Sequence, residues 1–232
     1  MAAHSRPSEL SGGVPNPTTR YLLHSTTLPT VLPLPRRILV IIDLNGTLLH
    51  RPSRQHPSHF IERPYTKAFL EYCISNFVVG IWSSARPQNV SNMVAGLLTS
   101  EQMSKCAFVW SRDKFRLSAE DYNAHVQCYK RLTQVWSDVS IQTTHPFAMY
   151  GQFWDQSNTI LIDDSIEKGR SEPHNLVEIP EFSGMAEEQA EVLPQVHDYL
   201  NILCYQGNIS SFVRQHPFRL NPQYRLPVML SS

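Results

Sequence analysis

The chain alternates short unbroken apolar runs with longer stretches in which apolar residues return every three or four positions. The stretch 38–43 opens on a continuous apolar run, the pattern of a strand buried on both faces. Similar runs at Phe77–Trp82, Cys106–Trp110, Thr159–Ile162 and residues 175–179 predict four more strands. Helical stripes lie between them. Pro64 opens one, with Tyr65, Phe69 and Cys73 on one side, and after Pro87 the positions Val90, Met93, Val94, Leu97 and Leu98 trace another. Tyr122, Val126, Tyr129 and Trp136 predict a helix across Ala119–Trp136, and Val192, Val196, Tyr199 and Leu203 a late one with Pro194 near its start. Residues 137–158 show no clear period and read as an inserted loop.

Strands alternating with helices predict an α/β fold: a single Rossmann-like parallel sheet flanked by helices, with at most a small cap or β insert. At 232 residues one domain is expected, and 17 prolines crowd the two ends of the chain. The division is a disordered Ser/Thr/Pro-rich leader at 1–36, the catalytic-type domain at 37–215 and an irregular tail at 216–232. With 20 Lys+Arg against 20 Asp+Glu the chain is neutral, so composition argues against a nucleic-acid partner. Cys73, Cys106, Cys128 and Cys204 form no CxxC pair and read as reduced, packed thiols. Nothing resembles a signal peptide or a membrane span, so a soluble intracellular protein is expected.

In a parallel sheet, ligands sit at the carboxyl ends of the strands. Asp43, Ser83 and the pair Asp163/Asp164 each lie at or just past such an end. Together they offer what phosphoryl transfer requires: a carboxylate nucleophile, hard oxygens for Mg²⁺, and donors for the phosphate. Taken singly, each has a structural reading: a turn around Gly46, a turn serine, a helix-capping acid. Their order along the chain favours the joint reading. His50, His56 and His59 crowd the next loop, but no acid or cysteine completes a metal set there.

"DLNGTLL" at 43–49, "VVGIWSS" at 78–84, Lys130 in "YKRL" and "ILIDDS" at 160–165 resemble the four motifs of the haloacid dehalogenase superfamily. Within it, "NLVEIPEFSGMAEEQAEVLPQVHDYLNIL" at 175–203 is similar to the NLI-interacting-factor-like phosphatases, which act on the RNA polymerase II C-terminal domain. The resemblance, over roughly residues 36–215, implies Asp43 as nucleophile, Ser83 as the second-motif hydroxyl and Lys130 as the phosphate-holding lysine. Gly46, Thr47 and Ser84 join the expected phosphate-binding set. Asp43, Asp163, Asp164 and the main-chain carbonyl of Asn45 are the expected Mg²⁺ ligands. Asn45 itself stands where the family has its general acid/base, and an amide cannot do that work.

The expectation is therefore an Mg²⁺-dependent Ser/Thr phosphoprotein phosphatase acting through an aspartyl-phosphate and slowed at residue 45. Its partner is a phosphorylated protein or peptide, and its location nuclear or cytoplasmic. The competing reading is a catalytically silent binding scaffold, similar to the presequence-receiving subunit of the mitochondrial inner membrane translocase. Mitochondria would be its compartment. A response-regulator receiver is the wrong order, because its acidic pair follows the first strand.

Overall fold

The run that opens at residue 38 forms β1 (Leu39–Ile42), buried along its whole length. β2 (Leu49–His50) and β3 (Ile61–Glu62) pair antiparallel as a small separate sheet. With β1, the strands β4 (Val78–Trp82), β5 (Phe108–Trp110), β6 (Thr159–Asp163) and β7 (Leu176–Glu178) make a five-stranded sheet of order β5-β4-β1-β6-β7. Every pairing in it is parallel, with Leu39 opposite Val78 on one side and Thr159 on the other. The computed structural model describes residues 5–53, 59–186, 188 and 190–226.

The helices, in order, are α1 (Thr19–Ser25), α2 (Thr66–Asn76), α3 (Pro87–Leu97), α4 (Ser100–Ser104), α5 (Ala119–Asn123), α6 (Leu132–Trp136), α7 (Val139–Gln142), α8 (Val192–Leu203) and α9 (Ile209–Gln215). Successive strand side chains point to opposite faces, so β1 feeds two cores. Val40 and Ile42 join Phe69, Met93, Val94, Val196, Leu200 and Val213 of α2, α3, α8 and α9. Leu39 and Ile41 pack instead with Trp82, Phe115, Leu132, Val135, Ile141 and Trp154. Burial on both faces explains the unbroken apolar run.

The second core corrects two expectations. Across Ala119–Trp136 there is no single helix: α5 and α6 flank a non-helical stretch, so Lys130 sits on irregular chain and not on a helix. The residues that suggested helical spacing are apolar because the stretch is covered, as Val126 and Tyr129 are. The region 137–158 is likewise no loose loop. It carries α7, and its Ile141 and Trp154 close over the sheet, with Trp154 Nε1 donating to Thr144 Oγ1 at 3.0 Å.

Residues 5–36, expected to be a disordered leader, are described as chain packed on the domain. Thr18 Oγ1 caps α1 by accepting from the Tyr21 amide, and the buried Tyr21 hydroxyl donates to Asn175 Oδ1 at 3.0 Å. Arg36 donates to the carbonyls of Ser157 and Gln206 at 2.6 and 2.8 Å. Ser8 Oγ and Ser11 Oγ both donate to Asp121 Oδ2, at 2.7 and 2.5 Å. Apart from the Thr18 cap, these partners are more than a hundred positions away in sequence, so local composition carries no trace of them. Beyond α9, residues 216–226 form neither helix nor strand.

Candidate active site

The carboxyl end of the sheet opens into a cleft of about 670 Å³, a size that suits a side chain with part of a peptide. The strands bring the expected groups there. Past β1, Asp43 is pinned by its amide, which donates to the Ile162 carbonyl at 3.0 Å. Past β4, the Ser83 amide donates to the Trp110 carbonyl at 2.9 Å, and Ser83 Oγ accepts from the Ala85 amide at 3.3 Å. Asp163 ends β6, and Asp164 follows it onto the cleft wall. Ligand oxygens of Asp43, Asp163 and Asp164 lie within 4.8 Å of one another, the one such acid, His or Cys group among the described residues.

Two lysine amines pair with the acids. The fully buried Lys130 Nζ donates to Asp43 Oδ1 at 2.7 Å and to Asp163 Oδ2 at 2.5 Å. Lys168 Nζ lies 2.9 Å from Asp43 Oδ2, 3.0 Å from Asp163 Oδ1 and 3.1 Å from Asp164 Oδ1. Burial alone would raise the pKa of Asp163, but Lys130 and Lys168 outweigh it and hold the group at about 2. Asp164 goes the other way. Burial, with Asp43 and Asp163 close by, pushes it up to about 7 against the pull of Lys168. Burial works against the Lys168 ammonium too, yet the three acids keep it well above its ordinary value.

Asn45 lines the cleft, and its Oδ1 accepts from the Arg51 amide at 3.1 Å. Ser84 lines the cleft as well. Gly46 and Thr47, expected around the phosphate, are not among the wall residues. Thr47 is fully buried, its hydroxyl has no partner among the described residues, and its carbonyl accepts from Arg63 Nη1 at 3.0 Å. Gly46 serves the turn instead. Its φ of +89° favours glycine, and a Cβ there would come within 2.5 Å of Asp164 Oδ2. Gly46→Ala should therefore cost at least about 1 kcal/mol of stability in urea unfolding and weaken Mn²⁺ binding by displacing Asp164. Unchanged values for both would show that the turn does not hold that acid.

Three contributors lay outside the sequence reading. Lys168 carried one faint signal, its i+4 spacing from Asp164. Arg112, also on the cleft wall, clamps the chain around α5 by donating to the carbonyls of Asp121, Tyr122 and Ala124 at 2.8–2.9 Å. Buried Arg63 pairs with Glu188 at 2.8 Å and holds the Pro180 carbonyl at 2.9 Å, tying the β3 side to the 180–188 segment. Of the loop histidines, His50 and His59 belong to no metal-ligand group among the described residues, and His56 lies outside those residues.

Residues 38–210 match the family described as NLI interacting factor-like phosphatase. The chain belongs to that family. An uncharacterised FCP1 homology domain-containing protein of Schizosaccharomyces pombe is 31% identical over 220 residues, which cover 89% of this chain and 86% of that protein. A putative CTD phosphatase-like protein of Invertebrate iridescent virus 6 is 28% identical over 142 residues, 60% of this chain and 72% of its own. Among solved structures, the fission yeast RNA polymerase II CTD phosphatase Fcp1 aligns at TM-score 0.40 and 14% identity, over 76% of this chain and 45% of that one. The chain thus spans less than half of that solved enzyme. No helix among the described residues is long and apolar enough to cross a membrane.

Proposed function

We propose that the chain hydrolyses phosphate monoesters on serine or threonine of a protein, through phospho-Asp43, at a rate limited by Asn45. The observation that carries this reading is the convergence of Asp43, Asp163 and Asp164 with two lysine amines at the foot of an open cleft. Burying that many charges is costly even when they are paired, and a surface made only for binding has no need of them. This favours an enzyme over a silent scaffold. A putative CTD phosphatase-like protein among the relatives makes a CTD-type phosphoserine peptide the first substrate to try, and a nuclear or cytoplasmic site the first to look in.

The donor set is all hard oxygen, which suits Mg²⁺. Asp43, Asp164 and the Asn45 carbonyl would hold it, with Asp163 beside them, and when bound it would neutralise phosphate oxygens. The chain's own groups do the rest. Ser83 Oγ accepts from the Ala85 amide and keeps its proton for a phosphate oxygen. Asp43 attacks phosphorus, the bond to the serine oxygen breaks, and that alkoxide takes its proton from solvent because Asn45 has none to give. Water then attacks phospho-Asp43, releasing inorganic phosphate and restoring the carboxylate.

Phosphate release from p-nitrophenyl phosphate and a phosphoserine peptide, with Mg²⁺ and with EDTA, tests the reading. Slow release that EDTA abolishes is expected, the aryl ester being the faster because its leaving group needs little protonation. No release from either ester would favour the scaffold.

A further inference from the structure

Lys168 Nζ lies 2.9–3.1 Å from an oxygen of each of the three carboxylates of the acidic group, and donates to those of Asp43 and Asp164. A divalent ion bound by these oxygens needs the same space, at about 2.0–2.1 Å from each ligand for Mg²⁺. The two cations therefore compete for the same oxygens. The backbone beneath the lysine is fixed: its carbonyl accepts from the Lys130 amide at 2.7 Å and its amide donates to the Ser165 carbonyl at 3.1 Å. Only the flexible stem is free to move.

The two lysines differ in where such motion leads. Lys130 is fully buried, its amine closed in between Asp43 and Asp163. Lys168 is 15% exposed and forms part of the cleft wall, so a rotation of its stem carries the amine towards an incoming ligand.

We propose that Lys168 is the resident cation of the acidic group: a divalent ion binds by displacing its ammonium, which turns into the cleft to hold a phosphate oxygen. The lysine thereby offsets part of the charge of Asp43, Asp163 and Asp164 and sets how tightly metal binds. The proposal deepens the phosphatase reading and rests on its acidic group binding a divalent ion, but not on turnover.

Mn²⁺ binding followed by electron paramagnetic resonance, on the full chain without any phosphate ester, is the test. Lys168→Met is expected to bind Mn²⁺ at least about tenfold tighter than the unaltered chain, since a unit charge some 3 Å from the ligands is gone. Equal or weaker binding, or no binding to either chain, overturns the proposal. Loss of a nearby charge without displacement is separated by acylating the unaltered chain with acetic anhydride and mapping lysines by mass spectrometry. Saturating Mn²⁺ should speed labelling of Lys168 several-fold and leave Lys130 unchanged. Lys168 labelling that stays constant or slows means that amine and ion coexist, and displacement is wrong. Should phosphate release fail while Mn²⁺ competes with Lys168, the phosphatase reading falls and this one stands.

Discussion

Replacing Asn45 with aspartate should raise steady-state hydrolysis of a phosphoserine peptide by about 10²–10⁴-fold, the usual worth of a positioned general acid/base. The substitution is isosteric, and the side chain already lines the cleft with Oδ1 accepting from the Arg51 amide at 3.1 Å. A carboxylate keeps that bond on one oxygen and has the other for the proton. Two steps gain: protonation of the leaving serine oxygen and deprotonation of the water that attacks phospho-Asp43. With an aryl phosphate the first gain shrinks, so the stimulation should be smaller. Initial rates on both substrates, for both chains, give the comparison. Equal rates before and after substitution would show that residue 45 does not occupy the acid/base position.

Lys130→Met should cost about 3–5 kcal/mol of folding stability, the range found when one partner of a buried ion pair is removed. Lys130, Asp43 and Asp163 have almost no exposed side-chain surface, so the acids cannot recover solvation from water. Lys168 remains on both, which places the loss towards the lower end of the range. Against a typical total of about 5–15 kcal/mol, even that is a large fraction. The urea midpoint, at unchanged slope, measures it. A shift worth less than about 1 kcal/mol would mean that Lys130 is not what keeps the two acids ionised. Lys168→Met, at the cleft wall, should shift the midpoint less.

The central sheet was legible because its strands are buried on both faces and so read as unbroken apolar runs. Asp43, Ser83, Asp163 and Asp164 were legible because a parallel sheet brings strand ends together whatever lies between them in sequence. What failed to show is whatever depends on distant partners. Trp154 and Ile141 cover the sheet from short turns that have no period of their own. Tyr21 owes its burial to contacts with residues near 175. Val126 and Tyr129 mimic a helix because their stretch is covered, not because it is wound. Gly46 reads from sequence as a phosphate-loop glycine, and only the fold shows that a Cβ there would meet Asp164 Oδ2. Lys168 gave away only its spacing, since nothing in sequence tells that its amine meets an acid just past β1 as well as two at the end of β6.

The site's central claim is that Asp43 carries the phosphoryl group, and acid-quenched peptide mapping tests it most directly. The unaltered chain would be mixed with p-nitrophenyl phosphate and Mg²⁺, stopped in acid within the first turnovers, and digested for mass spectrometry. One phosphoryl group should appear on the peptide holding Asp43, build up because Asn45 slows its hydrolysis, and vanish in Asp43→Asn. Steady phosphate release with no phosphoryl group on that peptide, or with Asp43→Asn as active as the unaltered chain, would contradict the mechanism.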